Sequence, residues 1–305
     1  MDSLSTLIRM ARLGARVDVR CLLAGSHVLD NPPRPGQVPF HLLLEGRCEV
    51  EVGDRTIDLR AGDVLVLPGA GRHRVQVVAQ APPAPFARHT GRAVEILRSE
   101  TPPAIDLFCG HYTYQGSVGE LLFAGLPDVL HASFGVEAGS PLYLLSELVR
   151  SEATLDAPGG GALLASLCEA LLVLVLRGDG RARPATLNLA APWTAVADAG
   201  LRAVVDAVVR EPGKPWTIAG LAHVAGVSRA TLVRHFAAAT GTSVADFVTR
   251  TRMMFAAELL TTTNRSLDDI STSVGYRSTS AFGKAFRAMT GTTPARLRRT
   301  ARSAT

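Results

Sequence analysis

Seven side chains near the C-terminal end have the types and spacing needed to meet a nucleic-acid duplex. Arg229, Ala230, Val233 and Arg234 share one face of a predicted helix, and Thr279, Ser280 and Lys284 recur at matching positions about fifty residues later. Guanidinium and ammonium groups pair with phosphate or a guanine edge, hydroxyls serve either role, and small apolar groups meet a thymine methyl. Ala230 and Val233 suit only the methyl contact. Arg234 is therefore the first candidate for direct base readout.

These side chains need two helix pairs to carry them. The first pattern runs from Trp216 through Gly226 and Ser228 to Phe236 and Gly241. In it, Ile218, Leu221 and Ala225 form a buried face, Gly226 ends the helix and Ser228 caps the next. Leu232 and Phe236 anchor the second helix to a core. The second pattern repeats this from Ser266 to Gly291: Ser278, Phe282, Lys284, Phe286 and Gly291 follow their counterparts by 50 residues. Gly275 follows Gly226 by 49, so the second copy has one extra residue in its turn. The charge distribution agrees. Residues 210–305 hold fourteen Lys plus Arg against five Asp plus Glu, a net of +9, and the rest of the chain is −4. Basic character is thus confined to the motif-bearing part, as a phosphate-binding surface requires.

At Gly275-Tyr276-x-Ser278-x-Ser280-x-Phe282-x-x-x-Phe286, Gly291-x-x-Pro294 and Arg296-Leu297-Arg298-Arg299, residues 195–301 resemble the DNA-binding domain of AraC/XylS-family transcription regulators. The resemblance implies seven helices, with a long one from about Val244 to Leu260 spacing two helix-turn-helix units (about 215–237 and 265–287). Their recognition helices would enter successive major grooves, roughly 34 Å apart. It also implies double-stranded promoter DNA and RNA polymerase as partners, a homodimer, and a cytoplasmic, nucleoid-associated protein that is not an enzyme.

The first half reads as β-structure. Short apolar or alternating runs at 40–46, 48–52, 56–59 and 64–68 are separated by Gly46, Gly53 and Gly62, which argues for a small barrel. Residues 15–125 resemble a cupin, with Glu45-Gly46, then Gly62-Asp63, Pro68 and His73. Cupin enzymes hold a metal with two histidines and a glutamate from a first motif and a histidine from a second. Here only His41, Glu45 and His73 match. The resemblance implies His41 and His73 as candidate metal ligands, with zinc or copper as the candidate ion. It leaves a metal-dependent enzyme as a remote alternative, beside a barrel that senses a small organic ligand or a metal.

The four cysteines, at 21, 48, 109 and 168, form neither a CxxC pair nor a disulfide framework, which suggests an intracellular chain. A Met-Asp-x-Leu-Ser start, a cysteine about twenty residues in, and a late Cys109-Gly110 pair resemble the reactive-chlorine-responsive branch of the same family. That resemblance implies Cys21 and Cys109 as the redox sensor. Cys21 is expected just before the barrel and Cys109 on its last strand. Arg20, Arg74 or a protonated histidine is expected to lower a thiol pKa. A soft-metal site joining one of these thiols to His41 or His73 is the variant reading.

From Pro141 to Leu176 the pattern gives two helices broken at 157–161. The second bears an apolar stripe of Leu163, Leu164, Leu167, Ala170, Leu171 and Leu174, suited to a dimer interface or an interdomain dock. The start of the chain lacks a signal-peptide pattern, and the stretch 162–176, interrupted by Glu169, is expected to fall short of a membrane span. Together these readings give an α+β two-domain chain of 305 residues. Residues 1–140 form a cupin-like β-barrel sensor and 141–194 a helical dimerisation or linker region. Residues 195–305 form an all-α DNA-binding domain with two helix-turn-helix motifs.

Overall fold

Glycines set the turns of the N-terminal half. β3 (Gln37–Glu45) reverses at Gly46, whose φ is +86°, into β4 (Arg47–Val52); a Cβ at Gly46 would lie 2.2 Å from the Ala104 carbonyl oxygen. Only glycine satisfies both conditions there. β5 (Arg55–Arg60), β6 (Asp63–Val66) and β7 (His73–Val77) follow. The structure, a computed structural model, describes residues 2–69, 71–114, 116–134, 139–177 and 198–303.

Two sheets face each other. The larger has seven strands in the order β11-β6-β3-β10-β1-β9-β8, built with β1 (Leu13–Leu23), β8 (Phe86–Thr90), β9 (Glu95–Ser99), β10 (Ile105–Tyr114) and β11 (Leu130–Ser133). The smaller is β2-β7-β4-β5, with β2 at Val28–Asn31. Leu43, Leu65, Leu97 and Leu107 from the large sheet pack against Val50, Leu59, Val75 and Val77 from the small one. Alternation sends successive residues to opposite faces, so the other face of the large sheet needs its own cover. α3 (Pro141–Leu155) and α4 (Gly160–Arg177) supply it: α4 packs on β1 and on α3, and the Tyr112 hydroxyl donates to the Cys168 carbonyl at 2.9 Å.

Three expectations are corrected here. Cys21 lies not before the sheet but within it, on β1 between β9 and β10. The apolar face of α4 that becomes buried is Leu164, Cys168, Leu171, Leu172, Val175 and Leu176, while Leu163 remains exposed. By length and composition α4, with 18 residues, does reach what a membrane span needs, contrary to expectation; its inner face is nonetheless committed to β1 and α3. The exposed apolar stripe belongs instead to α3, at Leu144, Leu148 and Leu155.

The C-terminal part has seven helices among the described residues. They are α5 (Ala199–Arg210), α6 (Ile218–Ala225), α7 (Arg229–Thr240), α8 (Val244–Thr262), α9 (Leu267–Ser273), α10 (Thr279–Thr290) and α11 (Pro294–Ser303). The chain forms two compact units. One comprises Leu13–Thr113 and Asp128–Asn188; the other adds Met1–Arg12 and Tyr114–Pro127 to Leu189–Thr305. Helices α1 (Ser3–Ala11) and α2 (Gly116–Phe123) thus share a unit with the helix-turn-helix helices.

Candidate nucleic-acid interface and thiol cluster

The two helix-turn-helix copies repeat their local bonding. Ser228 caps α7 by accepting from the Thr231 N–H, and Ser278 caps α10 by accepting from the Ala281 N–H, both at 3.2 Å. Each helix ends at a glycine with φ +68°, Gly241 or Gly291. The hydroxyls of Thr240 and Thr290 donate to the carbonyls of Phe236 and Phe286 at 2.7 and 2.8 Å. Leu232, Phe236, Phe282 and Phe286 are all buried. The extra residue of the second copy lies in the turn itself, where Tyr276 and Arg277 separate Gly275 from Ser278 while Val227 alone separates Gly226 from Ser228. Gly275 has φ +84°, and a Cβ there would meet the Gly213 carbonyl oxygen at 2.7 Å.

With these anchors inward, Arg229, Ala230, Val233 and Arg234 are exposed on α7, and Thr279, Ser280 and Lys284 on α10. Arg234→Ala is expected to weaken operator binding by about 1–3 kcal/mol and to relax preference at one base pair. Competition binding against an operator library reads this; equal weakening on every sequence would reduce Arg234 to a phosphate contact.

The second group of residues lies between the sheets. Cys21 on β1, Cys48 on β4 and Cys109 on β10 belong to one buried cluster, and all are free thiols. Cys21 and Cys109 stand on neighbouring strands, and the Cys21 thiol is near enough to act on that of Cys109. On the other side of Cys109, His41 Nδ1 lies 3.2 Å from its Sγ, and His41 Nε2 lies 2.9 Å from His73 Nε2. Strand pairing explains this: His41 is the direct β3 partner of Cys109. Asp18 and His111 add a 2.6 Å pair across β1 and β10. Cys168 is separate, buried on α4.

Every thiol shift that can be assigned is upward. The Cys21 thiol, then burial, hold the Cys109 thiol well above its ordinary value, and burial pushes Cys48 up to about 12. Burial, with His73 beside it, lowers His41 to about 3, and burial also lowers His73, so both imidazoles are neutral at pH 7. The expected cationic activation is therefore absent from these side chains. Arg20 reaches Asp106 instead, and Arg74 reaches Asp30 and Glu51. Sequence reasoning missed Cys48 in this cluster. Its parity with Val50 and Val52 on an alternating strand is the signal that could have placed it inward.

The cupin metal set does not assemble. The two Nε2 atoms point at each other at 2.9 Å, whereas two nitrogens on one tetrahedral zinc sit roughly 3.3 Å apart with the ion between them. Glu45 is turned away and pairs with Arg150 at 3.2 Å. Among the described residues, no group of three His, Cys, Asp or Glu side chains could hold a metal ion.

Comparison with known proteins gives matches over both parts of the chain. Residues 2–178 match the family model described as Cupin, and residues 221–300 match one described as Helix-turn-helix domain. An uncharacterized HTH-type transcriptional regulator of Haemophilus influenzae is 28% identical over 302 residues, 98% of this chain and 99% of that protein. A protein of Streptomyces lividans described as an AraC-like transcription regulator is 28% identical over 304 residues, 98% of each chain. The RCS-specific HTH-type transcriptional activator RclR of Escherichia coli is 26% identical over 305 residues, 98% of this chain and 97% of that one.

Proposed function

The chain belongs to the cupin family and to the AraC-type DNA-binding transcription regulators, and on that premise we propose that its barrel senses oxidants through Cys21 and Cys109. The observation that carries this reading is the placement of two free thiols on the neighbouring strands β1 and β10 in one buried cluster, among aliphatic side chains with Cys48, His41 and His73 beside them. The same packing disfavours an organic ligand there. The relative described as an RCS-specific activator supports the choice of oxidant class.

The chemistry balances with hypochlorous acid as oxidant. Cys109, 6% exposed where Cys21 is fully buried, reacts first. Its sulfur takes chlorine from HOCl, and the thiol proton leaves with hydroxide as water. The Cys21 sulfur then attacks the sulfenyl chloride, chloride departs, and the Cys21 proton is released. Two thiols are oxidised by two electrons to one disulfide. In the test, DNA affinity is measured by fluorescence anisotropy before and after one equivalent of HOCl, with the disulfide mapped by mass spectrometry. A change of about 5–150-fold is expected. A disulfide without a change in affinity refutes regulation, and no disulfide refutes sensing.

The raised thiol pKa also sets oxidant preference. The thiolate is the nucleophile, and little of it exists at pH 7 when the thiol titrates well above 9. Only a strongly electrophilic oxidant then reacts quickly; peroxide is slow. Below a thiol's pKa the thiolate fraction rises tenfold per pH unit. The rate of oxidation by peroxide should therefore rise about tenfold per unit from pH 7 to 9, with no inflection from His41, which stays neutral throughout. A rate that levels off near pH 7, followed by stopped-flow assay of free thiol, would mean an activated thiolate and a different sensor.

A further inference from the structure

We propose that the oxidation state of the thiols is delivered to the DNA reader through helices α1 and α2, which are structural parts of the reader's own unit; this rests on the redox reading above. The two strands that carry the thiols are the two that lead into these helices. β1, bearing Cys21, begins two residues after α1 ends, and β10, bearing Cys109, ends two residues before α2 begins. β1 and β10 are neighbours in the sheet. Their exits lie side by side: a Cβ at Gly14 would meet the Thr113 hydroxyl at 2.9 Å.

Both helices are built into the reader unit. α1 packs on α2 and α5, and α2 packs on α8 and α10, the second recognition helix. Leu7, Ala11, Leu121 and Leu122 are buried there. Polar ties reinforce the dock. Ser3 donates to Asp206 on α5, Arg250 Nη1 on α8 donates to the Leu121 carbonyl at 3.4 Å, and Arg12 lies 3.9 Å from Glu258 on α8. Gly119 admits this packing, since a Cβ there would lie 2.2 Å from the Tyr114 Cβ and 3.1 Å from the Ala11 carbonyl oxygen.

The junction between α1 and β1 is a strained one. Arg12 caps α1 with φ +46° and ψ +54°, a left-handed conformation that a side-chain-bearing residue seldom holds. Unit assignment changes at this same residue. A disulfide draws two neighbouring strands into one fixed relation. The exits of those strands are one or two residues from helices that the reader holds by a buried face. A change in the pitch or spacing of β1 and β10 is therefore applied to α1 and α2 directly, and from α2 to α8 and α10.

The test uses the full chain with five-residue glycine-serine linkers inserted after Arg12 and after Thr113, two places where the chain passes between the units, which lengthen both exits and leave each unit's residues together. DNA affinity is measured reduced and after HOCl, with disulfide content and thermal unfolding followed in parallel. Wild type should change by about 5–150-fold. The linker variant should form the same disulfide at the same dose, with an affinity ratio near one. A linker variant that keeps the wild-type ratio overturns the proposal alone. A wild type that forms no disulfide overturns the redox reading, and this proposal with it. Should the linkers prevent folding, Arg12→Gly with Glu258→Ala relaxes the left-handed residue and removes its tie; a ratio reduced by half or more supports the proposal, and an unchanged ratio overturns it.

Discussion

Cys109→Ser is expected to remove the oxidant response altogether, reducing a change of about 5–150-fold in DNA affinity to none. The reason lies in the cluster. Serine keeps the size of cysteine, and its hydroxyl can keep the contact that His41 Nδ1 makes at 3.2 Å. It cannot form a sulfenyl chloride or a disulfide. The loss of the weakly polar thiol for a hydroxyl in a buried site costs about 1–3 kcal/mol at most. Cys21→Ser should lose the response too, but differently. Cys109 can still be oxidised there, and Cys48 shares its cluster. A Cys109–Cys48 disulfide would then join β10 to β4 of the opposite sheet rather than to its neighbour β1. Peptide mapping distinguishes the products. Cys48→Ser should respond as wild type does. If Cys109→Ser still responds to hypochlorous acid, the sensor lies elsewhere.

The reader was legible in the sequence because its determinants are local. Ser228, Ser278, Gly226, Gly241 and Gly291 act within three or four residues of themselves, and Phe236 and Phe286 mark one helical face. Repetition then checked each inference against a second copy. The thiol site was legible only in part. Cys21 and Cys109 could be named by resemblance, but their nearness depends on β1 and β10 becoming neighbours, which sheet order decides and periodicity does not. The expectation that Arg20 would stand beside a thiol failed for a simple reason. Adjacent residues on a strand face opposite sides of the sheet, so the residue nearest in sequence is directed away from the thiol. The cupin metal set failed similarly: Glu45 is the last residue of β3, where the strand turns at Gly46, and its carboxylate meets Arg150. The sharing of α1 and α2 with the reader left no local signal at all. Their faces are amphipathic, but the sequence does not say against what.

Arg20→Ala is expected to be among the most destabilising single changes on the β-rich unit, at about 3–5 kcal/mol. Arg20 is 6% exposed and Asp106 3%. Their pairing is bidentate, with Arg20 Nε and Nη2 donating to the two carboxylate oxygens at 2.9 and 2.8 Å. The guanidinium passes over the Phe108 ring, 5.0 Å from its centre, and Nη1 donates to the Thr154 hydroxyl on α3 at 2.9 Å. One side chain thus joins β1, β10 and α3. Without it, Asp106 keeps, among the described residues, Arg150 at 3.4 Å as its one cationic partner. A buried carboxylate so weakly compensated is costly, more than the pair was ever worth. For a unit of this size the loss corresponds to a fall in melting temperature of roughly 6–20 °C. The pair itself need contribute little, because each ion was also desolvated. Arg20→Met combined with Asp106→Leu should therefore recover most of the lost stability, as measured by thermal and urea unfolding. That double variant carries a further consequence. It removes the tie from β1 and β10 to α3 while leaving Cys21, Cys109 and both strand exits untouched. If its response to hypochlorous acid matches wild type, the ion pair serves stability alone and the signal leaves the thiols along the strands. If stability recovers and the response is lost, α3 belongs to the signalling path as well.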